Sequence, residues 1–183
     1  AEDEFVAANV CTPCAPGTRN EAGDDAAGED TQCDAVECPV NAVGDDVQTG
    51  CVCAPGFQGA IEAATEDPYY TGSCDPVECP ANSMGMNVAM GCACEPGFRG
   101  MIEASSEEPF YTGSCEPVAC PMNSTGTDVP TGCACDAGFS GMIMATTLEP
   151  FFEGECEPVL CPANSTGLDV ASGCVCNDGY MGT

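Results

Sequence analysis

The chain has 183 residues, of which 18 are Cys, 22 Gly and 15 Pro; cysteine at this level marks a disulfide scaffold and not an ordinary apolar core. Thirty acidic residues stand against two basic ones, Arg19 and Arg99, with no Lys and no His, a formal net charge of −28. That balance excludes nucleic-acid binding, which needs cations against phosphate. It also disfavours anionic membrane surfaces and removes the commonest general base and metal ligand.

No stretch approaches the ~20 apolar residues of a membrane span, so membrane insertion is not expected. The opening AEDEFVAANV has neither an initiator Met nor a signal pattern, and reads as a processed protein or a piece of a longer one. Residues 1–33 form an N-terminal Cys-x-x-Cys module, with Cys11, Cys14 and Cys33 and an acidic, Gly-rich loop between the last two.

From Cys33 onward the chain repeats every 41 residues without insertion. Cysteines at 33, 38, 51 and 53 recur at 74, 79, 92 and 94, at 115, 120, 133 and 135, and at 156, 161, 174 and 176. Each copy obeys C-[DE]-x-V-x-C-P-x-N-[AS]-x-G-x-[DN]-V-x-x-G-C-x-C-x-x-G-[FY]-x-G. The first three continue through an arm ending in an aromatic pair: Tyr69-Tyr70, Phe110-Tyr111 and Phe151-Phe152. The repeats are residues 34–74, 75–115, 116–156 and 157–183, the last incomplete and expected to be completed by the next unit. Such a period means an array in which each unit touches mainly its neighbours. Gly and Pro recur too often for helices, and the glycines before the third Cys and in G-[FY]-x-G predict short β-hairpins.

Four cysteines per repeat allow three connectivities, and a bond within C-x-C closes too small a ring. Two remain open at this point. The run C-x-C-x-x-G-[FY]-x-G…C, followed by an acid and a further Cys, resembles the second half of an EGF-like module and its junction to the next. The resemblance covers the C-terminal half of each copy, which has four cysteines where EGF-like modules have six. It implies a small disulfide-rich, mostly β fold, a linear array of hairpin modules forming an elongated rod. It also implies the pairs Cys38–Cys51, Cys53–Cys74, Cys79–Cys92, Cys94–Cys115, Cys120–Cys133, Cys135–Cys156 and Cys161–Cys174. By the parallel of Cys14-Ala-Pro-Gly with Cys53-Ala-Pro-Gly, Cys14 pairs with Cys33.

Cys11 and Cys176 are left over. Set tail to head, GYMGT followed by AEDEFVAANVC mimics GFRGMIEASSEEPFYTGSC, with Phe5 standing for the arm aromatics. An inter-unit Cys11–Cys176 disulfide is therefore expected, either between chains or across successive units of a longer one, propagating as a filament.

Thiolate zinc is set aside because every cysteine has a disulfide role. Calcium is the one candidate cofactor. The EGF-like resemblance implies it at Asp34 with Glu37 and at Asp75 with Glu78, and the acidic loop Asp24, Asp25, Glu29 and Asp30 is a separate candidate. Asn123-Ser-Thr and Asn164-Ser-Thr are complete N-glycosylation acceptors, whereas Asn41 and Asn82 are not. No nucleophile has a base partner, so no catalytic residue is named and an enzyme is not expected. The aromatic rings are expected to cover disulfides.

The expected function is a structural subunit of a glycosylated extracellular filament or stalk, its partner being itself. The alternative is an ectodomain fragment of a cell-surface receptor or adhesin, acting as a binding or spacer module. The segment CTPCAPGTRNEAGDDAAGEDTQC is similar to cysteine-rich surface proteins of unicellular eukaryotes, among them the EGF-rich proteins of algal flagellar hairs. So many cysteines imply an oxidising, extracellular compartment.

Overall fold

The structure is a computed structural model that describes residues 2–182. Its described part is strand, turn and loop, with one short 3-10 turn at Val88–Met90 and no α-helix. All the strands pair in antiparallel two-stranded sheets. Disulfides join Cys14 to Cys33, Cys38 to Cys51, Cys53 to Cys74, Cys94 to Cys115, Cys120 to Cys133, Cys135 to Cys156 and Cys161 to Cys174. Cys79 and Cys92 are also disulfide-bonded, completing eight bridges.

Each repeat opens on a two-residue sheet that sets the N-[AS] segment against C-x-C: Ala42–Val43 with Val52–Cys53, Ser83–Met84 with Ala93–Cys94, and likewise in the later copies. Between these strands the [DN]-V-x-x-G turn is capped by its own side chain. Asp46, Asn87, Asp128 and Asp169 each accept a hydrogen bond from the backbone N–H three residues on, the local competition that makes Asp and Asn turn formers. The valine that follows donates its N–H to the other invariant valine of the repeat, Val47 to Val36, Val88 to Val77 and Val129 to Val118, each at 2.8 Å. Those three valines are only 3–5% exposed. They are among the few large side chains buried here, which leaves covalent links with most of the work of holding the fold.

After C-x-C, an aromatic-x-Gly strand pairs with the Cys-x-Pro strand that ends the arm: Phe57–Ala63 with Tyr70–Pro76, Phe98–Gly100 with Cys115–Pro117, Phe139–Gly141 with Cys156–Pro158. The glycine here is a steric requirement. A Cβ on Gly100 (φ +134°) would sit 2.0 Å from the Ser114 carbonyl oxygen. Each arm then turns at a cis X-Pro bond, Asp67-Pro68, Glu108-Pro109 or Glu149-Pro150.

The chain divides into two compact units. The first comprises Ala1–Cys79, Gly85–Gly91 and Glu103–Thr112; the second comprises Pro80–Met84, Cys92–Ile102 and Gly113–Thr183. These units cut across the 41-residue period because an arm tip packs on the turn of the repeat before it. Within the first unit, Gly17 N–H donates to the Ala64 carbonyl at 2.9 Å and Gly56 N–H to Ser105 at 3.0 Å; within the second, Gly97 N–H donates to Thr146 at 2.9 Å. At the Gly97 contact an added Cβ would meet Pro130 and Ala145 at 3.0 and 3.1 Å. The repeat read along the sequence and the packing unit are thus offset by one arm.

Candidate functional site

Two thiols remain free among the described residues, and both are exposed: Cys11 and Cys176. Cys176 ends the strand Val175–Cys176, opposite Ser165. Its counterparts Cys53, Cys94 and Cys135 occupy the same place in earlier copies and are bonded to Cys74, Cys115 and Cys156. Two other positions also differ from their counterparts in the earlier copies. Val170 is 44% exposed where its three counterparts are buried. Gly138 is half-buried where Gly17, Gly56 and Gly97 are buried under an arm tip.

Cys11 lies on the strand Val10–Pro13, opposite Val6 of Glu4–Ala7. The hairpin is internal to the molecule: Phe5, which the tail-to-head reading sets in the place of the arm aromatics, lies opposite Thr12, and Val6 is fully buried. The cause is local: Ala8 (φ 51°) and Asn9 (φ 64°) form a two-residue turn with both residues left-handed, which matches the twist of a tight hairpin. The hairpin is tied to the acidic loop by Val6 N–H to Thr31 Oγ1, Ala8 N–H to Asp30 Oδ1, and Asn9 Nδ2 to the Ala26 carbonyl, each at 2.9 Å.

The acidic loop therefore has a structural use. Asp24 accepts from the Thr31 hydroxyl and from Asn20 Nδ2, and these bonds, the Thr31 one foremost, hold its carboxyl below the ordinary value. Asp25 caps the Ala27 N–H. Among the described residues no three acidic or other ligating side chains converge on a point where a cation could sit. At the junctions, Asp34 lies opposite Arg19, and Asp75 lies opposite Gln58 with its carboxylate accepting from the Ser73 hydroxyl. Glu37 faces a recess shared with Arg19, Asp67 and Tyr69. Glu29 and Glu78 join no such cluster.

The asparagines carry information that the glycosylation motif hides. Asn41, Asn82, Asn123 and Asn164 all adopt left-handed φ of 59–65°, a conformation Asn tolerates far better than most residues. In the first three, Nδ2 donates to the carbonyl of the cysteine that ends the arm: Asn41 to Cys74 at 3.2 Å, Asn82 to Cys115 and Asn123 to Cys156 at 3.4 Å. Asn thus recurs in every copy for backbone reasons, two of which happen to be sequons. Asn164 makes no such bond among the described residues and is exposed. The signal in the sequence was an Asn present in all four copies whether or not Ser or Thr followed at the right spacing.

Tyr69 is buried and its hydroxyl donates to Asp3 at 3.2 Å; burial first, then that bond, pushes its phenol up from the ordinary value. Phe57 and Phe110 line a recess with Ile61 beside Cys51 and Cys53. The chain matches no family model, no curated protein and no solved structure.

Proposed function

We propose that this chain is a structural subunit of a glycosylated extracellular filament or stalk, an elongated array of EGF-like-type modules that propagates head to tail. The observation that carries the reading is the pair of exposed thiols in the first and last modules of a chain whose other sixteen cysteines are bonded. A patch that differs from its complement gives a heterologous contact. Such a contact adds subunit after subunit wherever the rotation does not close a ring. Eight disulfides support an oxidising compartment, and the high negative charge keeps such arrays apart from one another.

The role is mechanical, and the chain supplies stiffness and length instead of turnover. Native material prepared without reductant tests it by negative-stain imaging and peptide mapping. Uniform long fibres with a Cys11–Cys176 linked peptide are expected. Discrete particles with two free thiols that bind a cell-surface partner would replace this reading with the adhesin or receptor one.

A further inference from the structure

Every complete repeat closes with the same three-pair sheet. Phe57, Gln58 and Gly59 face Pro76, Asp75 and Cys74; Phe98, Arg99 and Gly100 face Pro117, Glu116 and Cys115; Phe139, Ser140 and Gly141 face Pro158, Glu157 and Cys156. In each case the Cys-x-Pro strand delivers the cysteine that bonds to the last sulfur of C-x-C.

Both halves of one more such sheet are present in the sequence, and neither is paired with the other. Tyr180-Met181-Gly182 is the aromatic-x-Gly half, follows Cys176 after Asn177-Asp178-Gly179, and joins no sheet among the described residues. Its glycine already passes beside the sulfur, since a Cβ on Gly182 would lie 3.0 Å from Cys176 Sγ. Cys11-Thr12-Pro13 is the Cys-x-Pro half, and its thiol is free. Its strand pairs only with Glu4–Ala7, so one edge of Val10–Pro13 carries no partner strand. Pro13 falls two residues after its cysteine, as Pro76, Pro117 and Pro158 do.

We infer that residues 180–182 of one molecule pair antiparallel with residues 11–13 of a second copy. Tyr180 then lies opposite Pro13, Met181 opposite Thr12 and Gly182 opposite Cys11. This is strand addition at an open sheet edge, in which main-chain bonds supply attraction and side-chain alternation supplies register. A slip of one residue would turn Cys11 to the far face and away from Cys176. The disulfide forms by exchange with a small-molecule disulfide such as oxidised glutathione. The Cys176 thiolate attacks it and releases one thiol; the Cys11 thiolate then attacks the mixed disulfide at the Cys176 sulfur and releases the second. Two protein thiols are oxidised and one small disulfide is reduced to two thiols.

The inference rests on head-to-tail assembly and specifies its joint. Full-length protein with its native disulfides is incubated in a glutathione redox buffer and separated without reductant. A ladder of multimers carrying the Cys11–Cys176 peptide is expected. Absence of a ladder, like-with-like links, or closure within one molecule overturns both the assembly and the joint. The register is then read in a Cys11→Ser, Cys176→Ser background, with the native disulfides verified by mass. Thr12→Cys with Met181→Cys should restore the ladder, and Thr12→Cys with Tyr180→Cys should not. A wild-type ladder combined with failure of the first pair, or with equal linking by both, overturns the strand register and leaves head-to-tail assembly standing.

Discussion

Removing the Cys53–Cys74 bridge by Cys53→Ala with Cys74→Ala isolates what sulfur contributes to one hairpin. The bridged residues are 21 apart in sequence, so freeing the loop in the unfolded ensemble costs about 3.3 kcal/mol on the loop-closure relation. The arm has little else to offset that loss: Tyr69 is its one buried aromatic among the described residues. At 1.36 kcal/mol per factor of ten, amides of the strand Tyr70–Pro76 should exchange with solvent about 250-fold faster. Hydrogen exchange read by mass spectrometry suits an array whose repeats open separately, where a single melting temperature would not. The hairpin closed by Cys135–Cys156 serves as the internal reference and should be unchanged. For Cys38–Cys51, with a separation of 13, the same relation gives about 2.9 kcal/mol, too close to rank the two bridges. Acceleration below about tenfold would show that packing and hydrogen bonds hold the hairpin, and the covalent account would fail.

Glycine substitution should separate steric from conformational need. Gly91→Ala meets nothing within 4 Å, but its φ of +100° with ψ 136° lies in a region that side chains rarely adopt, so it should cost only the ~1–3 kcal/mol of that backbone strain. Gly100→Ala drives a methyl into the Ser114 carbonyl and should cost more, read as a loss of correctly linked Cys94–Cys115 in disulfide mapping of refolded protein. Glycopeptide analysis of native material should find higher occupancy at Asn164 than at Asn123, because the Asn123 amide is engaged by the Cys156 carbonyl. Equal occupancy would remove the weight placed on that bond. The Thr31 hydroxyl and then the Asn20 amide hold the Asp24 carboxyl below its ordinary value, so the stability it contributes is complete above that ordinary value and is lost as pH falls through the lowered one. Acidification across that window should speed exchange of the Val6 amide, which reaches Asp24 through Thr31, and Asp24→Asn should abolish the pH dependence.

Much of the local structure could be read from spacing. The turn glycines and the C-x-C strands depend on neighbours within a dozen residues, where residue type and conformation are tightly coupled. What could not be read depends on contacts made across a repeat. The bond from Gly56 to Ser105 joins residues 49 apart, and no pattern within one copy announces that an arm turns back upon the copy before it. The N-terminal hairpin escaped for a different reason. Ala8-Asn9 lacks the glycine that usually marks such a turn, so residues 4–7 looked available to a neighbouring unit. The kinship of Cys11-Thr12-Pro13 with Cys74-Asp75-Pro76 is a three-residue likeness, too short to stand out without the strands that carry it. Asn41, Asn82, Asn123 and Asn164 were legible as loop residues. The bond of Asn41, Asn82 and Asn123 to a distant carbonyl was not, since it needs the closed arm.

The backward reach of each arm gives the molecule a direction during synthesis. As the chain emerges from its N-terminal end, the turn at Gly56 is made before Ser105 exists to cover it, and Cys53 waits 21 residues for Cys74. Every newly made segment thus finishes the one already outside, while leaving its own last turn open to the next. An oxidising folding machinery that follows the nascent chain therefore meets one unfinished closure at a time, and is spared the choice among many free sulfurs at once.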